Sequence, residues 1–362
     1  MALVSRWRLT RLKAHARTML SYQHGYHAGG LADLHKHAVL AGYLDALVAS
    51  TPSRVPLCFV DTHAGRGVYH LRSPEALKTG EAASGVERVP TAELPLAFRR
   101  ALVATRRLVR CEHAYPGSPA IASVLLRAHD EMLLFERHPA EHAVLRRRFF
   151  GARARVSNAD GPAALLDLAA RNGGRRGLVL IDPSYEQPRE LHATAELVRE
   201  LLARWRGVAV LVWYPLLPAA LGKDAARELV QPLRALSPVR HEVLFGREAG
   251  LEGSGLLLFN AAVPSAPLFA AADSVVRAAL ARAAPDVRSG AARTSNVRVL
   301  GAAVPPSARS PDAHSTTFRS TNNARAAAPR PGSAHGTQST GRVRGPGSAV
   351  SGGFRLSLAR RP

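Results

Sequence analysis

The sequence predicts an open, doubly wound α/β domain with a mostly parallel sheet and a small helical insertion after its first strand. Three observations predict it. Short, nearly continuous apolar runs recur between residues 57 and 261, the pattern of strands covered on both faces. Helical patterns with capping residues fill the gaps between them. The interval between the first two runs, residues 64–131, far exceeds the roughly dozen residues that a simple crossover needs.

Taken in chain order, residues 1–18 (MALVSRWRLTRLKAHART) are basic and lack the continuous apolar core of a secretion signal, so they read as a disordered extension ahead of Met19. Leu31, Leu34, Ala38, Tyr43, Leu44, Leu47 and Val48 follow 3–4 spacing and predict a helix. The strands expected next are 57–63 (LCFVDTH), 132–138 (MLLFERH), 154–160 (ARVSNAD), 177–185 (GLVLIDPSY), 208–215 (VAVLVWYP), 241–246 (HEVLFG) and 255–261 (GLLLFNA). The excess at about 70–115, which includes ELPLAFRRALVATRRLV, is the helical insertion. Ser118-Pro119 supplies an N-cap and a first-turn proline for a helix over 119–130. Gly161-Pro162 opens another over 162–171, which Asn172-Gly173-Gly174 ends. Residues 286–362 are rich in Ser, Gly, Pro, Ala and Arg with few large apolar residues, and cannot bury enough surface to offset their ordering entropy. They read as a disordered tail, which leaves 19–285 as the folded domain.

The formal charge is +22, but +5 of it lies in residues 1–18 and +10 in 286–362, leaving +7 for the middle. A moderately basic domain suits a polyanionic partner. No run of 18 apolar residues is present, so nothing is expected to span a bilayer. Cys58 and Cys111 make no CxxC ligand pair and read as reduced thiols of a cytoplasmic protein.

In an open α/β sheet, ligands bind at the carboxyl ends of the strands. Here four successive strands end on polar residues: Asp61-Thr62-His63, Glu136, Asp160 and Asp182. DTHAGRG offers Gly65 and Gly67, either for close approach to a ligand or for a plain tight turn, and lacks the spacing of a dinucleotide or triphosphate loop. Glu136 is placed to accept from ribose hydroxyls, and Asp160-Gly161 to accept from an adenine amino group. Together they describe a nucleoside site without a pyrophosphate cradle, which S-adenosylmethionine fits.

DPSY (182–185) adds chemistry. An adenine amine is a poor nucleophile because its lone pair is conjugated into the ring. The Asp182 carboxylate and the Pro183 carbonyl could hold its two hydrogens, and the fixed φ of proline would help to aim that carbonyl. Tyr185 would stack on an extruded base. The plainer alternative is a strand-to-turn junction with a surface tyrosine. In YQHGYHAGGLADLHKH (22–37), His24, His27, His35, His37 and Asp33 invite a metal reading, but the Gly-rich spacing defines no ligand face. The other reading has Tyr22, His24, His27, Lys36 and His37 lining the mouth of the nucleoside pocket and touching RNA.

MLSYQHGYHAGGLADLHKH, FVDTHAGRGVY, TGE (79–81), YPGSPAIASVLLR, ERHP, ADG, LVLIDPSYE and VWYP together resemble, in this order, the bacterial 23S ribosomal RNA adenine-N6 methyltransferases of the J type. The resemblance covers about residues 19–265. It implies a Rossmann-like class I fold, S-adenosylmethionine as cofactor and one adenine of 23S rRNA, naked or immature, as substrate. It implies cofactor contacts at His37, His63, Ser118, Glu136, Asp160 and Gly161, a catalytic acceptor at Asp182 and an RNA contact at Tyr22. The expected protein is a monomer that needs no metal. Three departures stand out: Ser184 replaces the second proline of DPPY, the chain extends ahead of Met19, and the strand that ends family members soon after position 265 has no clear counterpart. The competing functions are a DNA adenine-N6 methyltransferase and a noncatalytic RNA-binding protein of the same fold.

Overall fold

In the computed structural model the described residues are 23–282, apart from 150, 152, 173, 188, 219–223 and 247–250. The expectations for residues 1–18, Tyr22 and 286–362 lie outside them.

Among the described residues, seven strands form one sheet in the order β5-β4-β1-β6-β7-β9-β8. These are β1 (Cys58–Asp61), β4 (Glu131–Phe135), β5 (Ala154–Ser157), β6 (Gly177–Ile181), β7 (Val208–Leu216), β8 (Val239–Leu244) and β9 (Gly253–Phe259). Each matches an expected run. The five strands from β5 to β7 are mutually parallel, and β9 and β8 add antiparallel. Residues on the parallel strands alternate between two cores, as a pleat of period two requires. Phe59, Met132, Leu134, Leu178, Leu180 and Leu211 face one core, whereas Val60, Leu133, Val179, Ile181, Val210 and Val212 face the other. Both faces are covered, which is why these strands read as unbroken apolar runs.

The first core is closed by α1 (Leu31–Ser50), α4 (Leu96–Val109), α5 (Ser118–Leu125) and α9 (Ala266–Ala281). The second is closed by α7 (Gly161–Asn172) and α8 (Arg189–Arg204). The insertion contributes α2 (Pro74–Thr79) and α3 (Glu81–Ser84) besides α4, and α6 (Pro139–Arg148) follows β4. Among the described residues past 265 the chain forms α9, packed on α1. Its apolar residues Phe269, Ala272, Val275, Val276 and Ala279 carry the 3–4 spacing that marks it.

Two short strands escape a reading by periodicity because three residues cannot show a period. Strands β2 (Val68–His70) and β3 (Ala114–Pro116) pair antiparallel at the two ends of the insertion, with Tyr69 opposite Tyr115. The pairing pins the insertion at its base, so the chain leaves and re-enters at one place. It also corrects the expected N-cap. The Gly117 N–H bonds the Gly67 carbonyl at 2.9 Å, which extends the pairing, so Gly117 is the cap and Ser118 the first helical residue. The helix stops at Leu125 rather than 130, and the Asp130 carboxylate instead folds the following turn by accepting the Arg127 N–H at 2.8 Å.

Candidate active site

The strand order reverses at β1, which lies between β4 and β6, and the cavities sit at the carboxyl ends of these strands. One cavity, about 170 Å³, brings together His37, His63, Ser118, Glu136, Lys36, Asp182 and Pro183. A neighbouring cavity of about 310 Å³ holds Asp160 and Gly161. His63, Arg137, Pro183 and Glu190 line both. Most residues that sequence reasoning selects therefore converge, although they come from well-separated stretches of chain.

The centre of the first cavity is an ion-pair chain. Lys36 Nζ donates to Asp182 Oδ2 at 2.5 Å and lies 3.2 Å from Asp33 Oδ1. Asp33 Oδ2 in turn accepts from His24 Nε2 at 2.9 Å and from the Gly29 N–H at 3.0 Å. Burial opposes the lysine charge, but the two carboxylates outweigh it and hold Lys36 above its ordinary value. Burial likewise works against Asp33, but His24, His37 and Lys36 beside it bring its carboxyl well below the usual range. Asp182 is raised, because burial disfavours its charge more than Lys36 favours it.

This arrangement corrects the expectation that Lys36 touches RNA from the pocket mouth. The residue is only 4% exposed and both its carboxylate partners are internal. An ammonium there must be paired, because an unpaired buried charge costs several kcal/mol. Its ammonium is engaged by Asp182 and Asp33.

Tyr185 is corrected as well. Its ring lies in the second core at 2% exposure and offers no face for a base. Its hydroxyl donates to the Trp213 carbonyl at 2.8 Å, and Thr194 also bonds it. The residue adopts a left-handed φ of 52°, unusual for a bulky side chain and held there by this packing. The half-buried ring beside the Lys36 ammonium is that of Trp213, 5.6 Å from Nζ. Tyr185→Phe is expected to lower stability by about 1–2 kcal/mol, read as a shift in denaturant midpoint, because it strands a buried acceptor.

Two imidazoles of the cavity, His37 and His63, are neutral at physiological pH. Burial depresses His37 to about 3, while the Tyr115 hydroxyl bonds its Nδ1 at 2.8 Å. Burial also depresses His63 to about 4, with its Nδ1 2.8 Å from Thr62 Oγ1. Glu136 accepts the Gly65 N–H at 2.8 Å on Oε2 and the His138 N–H at 2.6 Å on Oε1, which fixes the carboxylate and leaves lone pairs on each oxygen. Burial raises its carboxyl nonetheless. Beneath the same loop, burial pushes the fully enclosed Asp61 up to about 7, and its Oδ2 has no hydrogen-bond partner among the described residues.

The glycines serve the turn. Gly65 and Gly67 have φ of 58° and 77°, and a Cβ on either would strike the side chains of Tyr69 or Phe149. Asp160 Oδ1 caps α7 through the Ala163 N–H at 3.1 Å, and Arg137 approaches its Oδ2 at 3.5 Å.

Asp33 is the residue that sequence reasoning undervalues. Asp33, Lys36 and His37 stand at i, i+3 and i+4, one face of α1, and that spacing is legible. What cannot be read is that the face meets Asp182, 146 residues from Lys36 in the chain. Among the described residues no set of three His, Cys, Asp or Glu side chains is placed to hold a metal ion. No described helix is long and apolar enough to cross a membrane.

Residues 54–278 match the family model described as "Ribosomal RNA large subunit methyltransferase D, RlmJ". A protein of Escherichia coli named ribosomal RNA large subunit methyltransferase J is 34% identical over 248 residues, covering 67% of this chain and 87% of that one. Its namesake in Haemophilus influenzae is 35% identical over 201 residues, covering 54% and 70%. Among solved structures, a protein of Legionella pneumophila matches with a TM-score of 0.58 and 27% identity, over 70% of this chain and 92% of that one.

Proposed function

The chain belongs to the RlmJ family of ribosomal RNA large-subunit methyltransferases, and from that premise we infer that it methylates the N6 amino group of an adenine in 23S rRNA with S-adenosylmethionine. The observation that carries the reading is the Asp182 carboxylate. It stands where β6 ends, gripped on Oδ2 by Lys36 and bordering a cavity lined also by Glu136, Ser118 and two neutral imidazoles.

That donor set suits the cofactor. A ligand bearing a sulfonium and an ammonium is repelled by imidazolium and favoured by carboxylates, and His37 and His63 stay uncharged while Glu136 and Asp182 face the cavity. S-adenosylmethionine, when bound, supplies a methyl group activated as an electrophile. Glu136 would take its ribose hydroxyls with the lone pairs that Gly65 and His138 leave, Asp160 and Gly161 its adenine, and Ser118, His37 and His63 the remainder. The chain's own contribution is to aim the nucleophile. Asp182 Oδ1 and the Pro183 carbonyl accept the two amine hydrogens, which draws the nitrogen lone pair out of conjugation and toward the methyl group. Asp182 then takes the proton that the methylated nitrogen sheds, a role its raised pKa favours.

We read the protein further as a cytoplasmic monomer acting on naked or immature large-subunit RNA, with no step that calls on a metal. Tyr22, as an RNA contact, belongs to the same reading. The test is to incubate the protein with methyl-labelled cofactor and either deproteinised 23S rRNA or adenine-containing DNA. Label is expected in N6-methyladenosine of the RNA, located by mass mapping. Label on DNA alone, or tight RNA binding with no transfer to either, would overturn the assignment.

A further inference from the structure

We propose that Asp33 is a positioning residue of the methyl-transfer reaction: acting through the Lys36 ammonium, it keeps one oxygen of Asp182 free for the target amine. The proposal rests on the methyl-transfer reading above. Its ground is the geometry around the ammonium. Lys36 reaches its place on a flexible four-carbon stem with three donors, and a single carboxylate would not define where on that carboxylate the ammonium sits. Asp33 Oδ1, 3.2 Å away, supplies the second point of attachment, and Lys36 then meets Asp182 at Oδ2. Among the described residues no donor bonds Asp182 Oδ1.

Asp33 is itself held more firmly than a helix side chain needs to be. It is 2% exposed and stands one turn before Lys36 on α1. Its Oδ2 accepts both His24 Nε2 and the N–H of Gly29, whose left-handed φ of 79° turns the preceding loop onto the helix start. Three basic side chains, His24, Lys36 and His37, surround it. Burying a carboxylate this completely is costly, and a purely structural helix start could use the Gly29 contact alone. Of the remaining contacts, the one to Lys36 passes through its ammonium to Asp182.

Without Asp33 the ammonium has one carboxylate left, and it would straddle both oxygens or swing away, in either case spoiling the acceptor. Misplacement on this scale lowers turnover by about a hundredfold. Asp33→Asn preserves shape and an acceptor for Gly29, so kcat on 23S rRNA is expected to fall about a hundredfold. The KM for S-adenosylmethionine and the Kd for sinefungin should change by no more than about twofold, because Asp33 lies outside the residues proposed to hold the cofactor. In a Lys36→Met background the same substitution should cost nothing further, since its effect passes through Lys36. Asp33→Glu, which keeps the charge but displaces it, should fall between wild type and Asp33→Asn. An Asp33→Asn enzyme with kcat within about threefold of wild type would overturn the proposal. So would fully multiplicative losses in the double variant, or loss of sinefungin binding by Asp33→Asn, which would make the residue merely structural. An inactive wild-type protein in the same assay would instead reject the proposed function, so the two failures are distinct.

Discussion

Asp182→Ala is expected to abolish measurable turnover on 23S rRNA, a loss of kcat of about a thousandfold or more, while sinefungin still binds within a fewfold of wild type. The asymmetry follows from where the carboxylate stands. It borders the cavity from the end of β6, opposite the residues from β4 and the β3–α5 junction that are proposed to hold the cofactor. Removing it deletes the acceptor that draws the amine lone pair toward the methyl group and leaves Glu136, Ser118 and His63 in place. Asp182→Asn separates two parts of the role. Its amide oxygen can still accept one hydrogen, but it loses the charge that pairs with Lys36 and the basicity that takes the released proton. The expected order of kcat is therefore wild type, then Asn, then Ala. The Ala variant also leaves the buried ammonium with Asp33 alone, so its stability should drop by about 1–3 kcal/mol, which a urea midpoint measures independently of activity. An Ala variant that turns over within about threefold of wild type would remove Asp182 from the chemistry.

The fold is legible because its signals repeat. Strands β4, β6, β7 and β9 carry short unbroken apolar runs, and the polar residues that end β1, β4, β5 and β6 mark the ligand side without any structure. The convergence of His37, His63, Ser118, Glu136 and Asp182 is legible through the family resemblance more than through spacing. What the sequence hides is direction. Tyr185 follows Asp182 by three residues and by its place in the motif should face a base, yet its left-handed φ turns the ring into the core, where its hydroxyl meets Trp213. Lys36 reads as an exposed helix cation, but the fold lays α1 against the end of β6 and encloses it. Backbone conformation and tertiary docking decide these two placements, and neither leaves a trace in composition or period. Short pairings such as β2 with β3 hide for a different reason, being too brief for any periodic pattern.

Gly161 exposes the same gap between motif and cause, and its replacement should be the most damaging small substitution at the site. The family resemblance implies a cofactor contact at Gly161. In the structure a Cβ there would lie 2.1 Å from the Thr62 carbonyl oxygen and 2.8 Å from the Thr62 carbonyl carbon, so the close approach is between two segments of this chain. Neither segment can yield cheaply. Thr62 is fastened to Leu180 through its N–H at 3.2 Å and its hydroxyl at 3.1 Å, and Ala64 N–H to Phe135 at 2.9 Å. On the other side, Asp160 caps the first turn of α7 through Ala163 and Ala164. Gly161→Ala must therefore move either the loop that carries His63 or the start of α7. We expect it to destabilise the protein by about 3 kcal/mol or more, with the denaturant slope unchanged, as overpacking between rigid backbones does. Sinefungin affinity should fall at least about tenfold in parallel, because His63, Asp160 and Gly161 all border the same cavity, and a shift of about an ångström there is costly. Gly80 provides the contrast. It has a left-handed φ of 66°, but an added Cβ would meet nothing within 4 Å, so Gly80→Ala should cost only about 1 kcal/mol of backbone strain and leave sinefungin binding alone. Equal losses for the two alanines would mean that conformation, not contact with Thr62, is what position 161 requires.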